Sequence, residues 1–175
     1  MTISNREHAV LGCLSAIPKK MLRSHGMNNI SSLVLYDLCH ENCFNVKKAA
    51  YFVDNPDFNI CKGVAGYHRS ESYYDISDAW SEPETFELIM NSCPFNAQVQ
   101  TFEKNNLHIN GNGNADILDA ISRHCLFENP HLVSWDMKHD NIGLLVYEQT
   151  DSESLSELEE HLYHGLHLFG FCPLF

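Results

Sequence analysis

Cys39-His40-Glu41-Asn42-Cys43 places two thiols and an imidazole within about one helical turn, and Cys61 and His68 follow downstream. Thiolate sulfur and imidazole nitrogen are suitable zinc donors, and a reducing compartment keeps the thiols available. On a helix Cys39 and Cys43 stand at i and i+4, and His40 and Cys43 at i and i+3, so either pair can chelate one ion. Cys61 and His68 would then complete a tetrahedral set, which makes Cys39, His40, Cys43, Cys61 and His68 the expected metal ligands and zinc the expected cofactor. The pattern is incomplete, because one CxxxC stands seventeen residues from the next cysteine without the paired CxxC knuckles of a zinc ribbon. The same three thiols also suit a core, where free cysteines are common.

A thiol enzyme is a further reading, with Cys39 or Cys43 as nucleophile and His25, His40 or His68 as base. Nothing in the spacing fixes that base. No G-x-S-x-G, HExxH, P-loop or dinucleotide-binding signature occurs, and Phe44 stands where a zincin carries its second histidine. The residues therefore leave open whether the chain is an enzyme. Helical projection of residues 30–44 also sets Asp37 and Glu41 among the apolar positions Ile30, Val34 and Leu38. A carboxylate there needs a partner, or lies at the rim of the apolar face near Arg23, Lys47 or Lys48.

For ligand or partner binding, the richest segment is Gly66 to Trp80, a long polar connection carrying Tyr67, Tyr73, Tyr74 and Trp80. Extended connections often carry function, and amphipathic rings are common in pockets and interfaces. Near the C-terminus, His161, His164 and His167 form a row opposite the apolar stripe Leu155, Leu158, Leu162, Leu166 and Phe169. That row reads as a solvent-facing polar surface.

These residues need elements to position them. Val10, Leu11, Leu14 and Ile17 recur at helical spacing until Pro18 interrupts them, and a second helix is expected after Asn28 or Asn29. Lys47–Val53 and Ile60–Tyr67 flank the turn cluster Asp54-Asn55-Pro56-Asp57, which predicts a hairpin. Ser81-Glu82-Pro83-Glu84 combines a capping residue with a proline near the first turn, ahead of Phe86, Ile89 and Cys93 on one helical face. Asn110-Gly111-Asn112-Gly113-Asn114 leads into a helix with Ile117, Leu118, Ile121 and Cys125 on its apolar side. Leu132–Met137 and Ile142–Glu148 predict a second hairpin, and a last helix is expected over about Leu155–Leu168 with Asp151 or Ser152 as its cap. The fold class expected is α+β: one globular domain over 1–175, with an antiparallel sheet built from two hairpins (about 46–67 and 131–148) packed with helices, including N- and C-terminal helices.

At 175 residues with 44% hydrophobic content, the chain can bury a core in a single domain. Eleven basic against 23 acidic residues give a formal charge of −12, which repels phosphate backbones and anionic lipid. Nucleic acid and membrane are accordingly poor partners, and Lys19, Lys20 and Arg23 do not make a binding stripe. The apolar run near the N-terminus is too short to span a bilayer, and seven cysteines without a regular framework suit a reducing, cytoplasmic setting. The expected activity is binding of a protein partner or a small ligand, and self-association through an apolar face would make a homo-oligomer.

Overall fold

The computed structural model describes residues 4–24, 26–71, 78–105, 113–150 and 155–173. Helix α1 (Asn5–Arg23) starts with the Ser4 hydroxyl accepting from the Glu7 amide, and α2 (Ile30–Cys39) follows. Strands β1 (Val46–Asn55) and β2 (Ile60–His68) form the first hairpin. Helices α3 (Pro83–Ser92) and α4 (Pro94–Gln100) lead to a short strand β3 (Glu103–Asn105). Helix α5 (Gly113–Cys125) precedes the second hairpin, β4 (His131–Asp136) and β5 (Ile142–Gln149), and α6 (Glu159–Leu166) runs into a 3-10 segment, His167–Phe171.

The five strands form one antiparallel sheet in the order β3-β2-β1-β5-β4, so the two hairpins join edge to edge through β1 and β5. Both faces are covered. Val46, Ala49, Tyr51, Leu145 and Tyr147 pack with α1, α2, α3 and the C-terminal segment, while Ala50, Phe52, Leu144 and Val146 pack with α4 and α5. Burial on both sides explains why the middle of β1 and of β5 reads as a continuous apolar run rather than as alternation. The α+β class, the two hairpins and the helices near both ends match the sequence expectation. Strand β3 was not legible, because three exposed residues, Glu-Lys-Asn, carry no hydrophobic pattern and only extend the sheet with a charged edge.

Four helix boundaries differ from expectation. Pro18 does not end α1, which continues to Arg23: proline removes the one donor that would reach the Leu14 carbonyl, while buried Ile17 and partly buried Met21 keep the helix on the core. Helix α2 ends at Cys39, with His40 as its extended C-cap, so Glu41 and Cys43 lie in the turn beyond. The C-terminal helix is shorter than expected and gives way to the 3-10 segment, and its expected caps Asp151 and Ser152 lie outside the described residues. Ahead of α3, Glu82 occupies the cap position and Ser81 instead donates to Asp78 at 2.8 Å.

A β-bulge opposite Tyr51 and Phe52 leaves Val64 without a partner on β1 and reverses the facing of the rest of β2. Cys61, Gly63, Gly66 and His68 consequently face α4, while Ala65 and Tyr67 face α2. Gly63 and Gly66 are required there, because a Cβ on Gly63 would overlap the Val99 carbonyl and one on Gly66 would come within 2.8 Å of the Val99 side chain.

Candidate functional site

The structure divides the expected ligand set. Cys39 and Cys43 lie in the core between α2 and the sheet, whereas Cys61 lies in the core on the opposite face. His68 shares the Cys61 face, with its ring 5.7 Å from Phe95 and the Ser70 hydroxyl 2.8 Å from its Nδ1. Seven positions along one strand set Cys61 and His68 roughly 20 Å apart, too far to share an ion. His40 caps α2, with its Nδ1 accepting from the Asn42 amide at 3.4 Å and its ring 5.6 Å from Tyr36. Among the described residues no group of three or more His, Cys, Asp or Glu side chains is arranged to hold a metal ion. Burial pushes the Cys39 thiol up, and it raises Cys61 to about 12.

Of the aromatic residues expected to bind a ligand, Tyr67 and Trp80 are described, and both are buried. Tyr73 and Tyr74 lie outside the described residues, as does His25. Tyr67 is buried, 6.1 Å from the Tyr36 ring and edge-on to it. Trp80 is buried too, but its indole N–H donates to Asp37 Oδ2 at 2.9 Å. Lys20 Nζ donates to the same oxygen at 2.8 Å. Asp37 therefore has partners from two other elements, whereas Glu41 is exposed and lies 3.7 Å from Arg69.

The Lys20–Asp37–Trp80 contact lies at the wall of a cleft of about 470 Å³ between α1, α2, the turn after α2 and residues 78–79. Cys13, Lys20, Tyr36, Asp37, His40 and Asp78 line it. The sequence opens this space in a simple way: Ala9, Cys13, Ala16 and Lys20 succeed one another at four-, three- and four-residue steps on α1. The adjoining stripe of Val10, Leu14, Ile17 and Met21 packs on the core. Small side chains on the first stripe keep α1 and α2 from closing over the polar groups. That stripe was the sequence signal for the site, masked because it runs beside the stronger apolar stripe.

Electrostatics within the cleft are specific. The Ser81 hydroxyl and the Trp80 amide, donating to Asp78, hold that carboxyl below its usual range. Burial, with Asp37 and Glu41 nearby, raises the Tyr36 phenol. The neighbouring Cys43 thiol lowers the Cys13 pKa, with Lys20 and Arg6 helping and burial and Asp37 opposing, and the Cys13 Sγ donates to the Asp37 carbonyl at 3.7 Å. Cys13 and burial raise the Cys43 thiol. All seven cysteines are described; six are buried, and Cys13 alone is partly exposed. The arrangement offers donors, acceptors and one accessible thiol on a concave surface.

Comparison of the chain with protein-family models, with curated proteins and with solved structures gives no match.

Proposed function

We propose that this protein acts by binding a small polar molecule in the cleft between α1 and α2. The observation that supports it is the convergence of Lys20, Asp37, Asp78 and Tyr36 on one concavity of about 470 Å³, a size typical of small-molecule sites. Charges of both signs line the cleft, so it suits a ligand that carries a donor and an acceptor together rather than a simple anion. An ammonium group would find the carboxylates of Asp37 and Asp78, and a carboxylate or hydroxyl would find Lys20 and Tyr36. Trp80 gives the site a built-in reporter, because its indole N–H is bonded to Asp37 in the cleft wall.

The test is a screen of amino acids, small amines and hydroxy acids by two-dimensional NMR of the uniformly labelled protein. Two indole N–H signals are expected, from Trp80 and Trp135, and Trp80→Phe assigns them. A compound that binds in the cleft shifts the Trp80 signal and leaves Trp135 in place, and Lys20→Met weakens its affinity on the order of tenfold, the loss of one charge-assisted hydrogen bond. If no compound moves the Trp80 signal, or if those that do bind Lys20→Met equally well, the cleft is not the binding site.

A further inference from the structure

The two edges of the sheet differ in kind. At one end of the order β3-β2-β1-β5-β4, strand β3 is three exposed residues, Glu103-Lys104-Asn105, whose charges discourage further pairing. At the other end β4 runs for six residues, and its middle four, Leu132-Val133-Ser134-Trp135, carry no charge. Among the described residues β4 pairs only with β5, in a register without a bulge. In an antiparallel pair every second residue turns its N–H and C=O away from the partner strand, so β4 holds a row of backbone donors and acceptors outward. An edge of this length without a bulge, a proline or a central charge is open to another strand.

A groove runs beside that edge. Val133 and Trp135 face the core that they share with Leu162 and Leu166 of α6. Val133, Ser156, Glu159, Glu160, Tyr163 and His164 line an open groove of about 540 Å³ between β4 and α6. Its apolar members are Val133 and the ring of Tyr163, which is 42% exposed and edge-on to His167. Its charge is acidic: Glu159 and Glu160 are exposed, no lysine or arginine lines the groove, and the His164 imidazole stands 3.9 Å from Glu160.

We propose that the β4 edge and this groove together bind an extended, basic segment of another protein, which adds to the sheet as a further strand beside β4. The main chain of the segment bonds to the outward groups of β4, and every second side chain enters the groove, since successive side chains of a strand point to opposite faces. The groove then selects. An apolar side chain covers Val133 and the Tyr163 ring, and a lysine or arginine on the same face meets Glu159 and Glu160. Charge makes the occupant a basic partner rather than a second copy of this chain. Two chains of formal charge −12 repel one another, and a second β4, His-Leu-Val-Ser-Trp-Asp, brings no lysine or arginine to the carboxylates. The groove shares no lining residue with the cleft between α1 and α2, so the inference stands whatever binds there.

The test uses the uniformly labelled full chain and an acetylated, amidated peptide, Val-Thr-Lys-Thr-Val-Thr-Lys-Thr, whose valines and lysines share one face of a strand. At millimolar peptide, two-dimensional NMR is expected to show saturable shifts of the amides of residues 131–136 and of Tyr163. The same peptide with glutamate in place of lysine binds about tenfold more weakly or worse. Two further forms carry N-methyl groups on the odd or on the even positions. Strand addition uses the N–H groups of only one set, so one form loses about tenfold or more in affinity while the other binds like the parent. Glu159→Lys combined with Glu160→Lys, both exposed in the first turn of α6, turns the preference toward the glutamate peptide. The proposal is overturned if the lysine peptide moves no β4 amide, or if the two N-methylated forms behave alike, which is charge attraction alone. It is equally overturned if the glutamate peptide binds the wild type as well as the lysine peptide does, or if a double variant shown by circular dichroism to be folded keeps the lysine preference. Shifts of the β4 amides with protein concentration, in the absence of peptide, would make a second copy the occupant and overturn it too.

Discussion

Lys48 shows how this molecule tolerates a charge inside. It is 7% exposed on β1, and its ammonium donates to the carbonyls of Cys125 and Leu126 at 2.7 and 2.8 Å. Those carbonyls end α5, where the helix dipole is negative, so Lys48 caps a helix from the middle of the sheet. The rings of Phe95 and Phe127 stand 4.7 Å from the same nitrogen. Burial lowers its pKa, and Glu148, paired with it across β1 and β5, opposes that shift while accepting from the backbone amides of Glu128 and Asn129. Lys48→Met leaves two buried carbonyls without their donor, and it is expected to cost about 2–4 kcal/mol in urea unfolding. A loss under about 1 kcal/mol would mean that water replaces the ammonium at little cost. At this scale sequence reasoning left Asp37 either partnered among the apolar positions or at their rim near Arg23, Lys47 or Lys48. The partners themselves, Lys20 and Trp80, come from positions 17 before and 43 after it, and no local spacing names them.

Among the elements, β2 carries the decisive irregularity. Regular alternation would put Cys61, Gly63, Ala65 and Tyr67 on one face; the bulge at Val64 sends Ala65 and Tyr67 to the other, under α2. The strand then presents Gly63 and Gly66 to α4, whose Val99 lies against both. Gly63→Ala is therefore expected to destabilise the protein by about 2–4 kcal/mol, since the clash is with the backbone of Val99 and no rotamer change relieves it. Gly170→Ala, with open space around the position, is the control and should change the unfolding midpoint little. Helix α2 makes the complementary point. Its apolar residues predicted a helix, but the pattern continues smoothly past Cys39, so the stop at His40 was invisible and with it the displacement of Cys43 from any helical ligand pair. The distance between Cys61 and His68, by contrast, was readable in advance from the strand rise alone.

For the whole molecule, charge is the property most directly accessible to experiment. Folding concentrates a formal charge of −12 in a smaller volume than the unfolded chain occupies, so self-repulsion opposes the compact state. Raising ionic strength from about 0.01 to about 0.15 M shortens the screening length from about 30 to about 8 Å and is expected to raise the melting temperature by a few degrees. No change, or a fall, would show that favourable pairs such as Lys20–Asp37 outweigh the long-range repulsion. No described helix is long and apolar enough to cross a membrane, in keeping with the interrupted apolar run of α1.

The sequence by itself determined the class of fold and its main hairpins and helices, though not α4 or β3, because hydrophobic period, turn residues and caps act over a few positions and are written locally. It placed both hairpins, the start of α3 and the apolar face of α5 for that reason. Only the tertiary structure decided which chemical groups meet. Cys61 is close in the chain to Cys39 and Cys43, but a sheet whose two faces are separately covered parts it from them. Cys13, Lys20 and Asp37 span a similar length of chain, but packing α1 on α2 brings them to one cleft. Contact across a layer depends on crossing geometry, on a single bulge and on where small side chains leave room, and none of these is carried by the spacing of the reacting residues themselves.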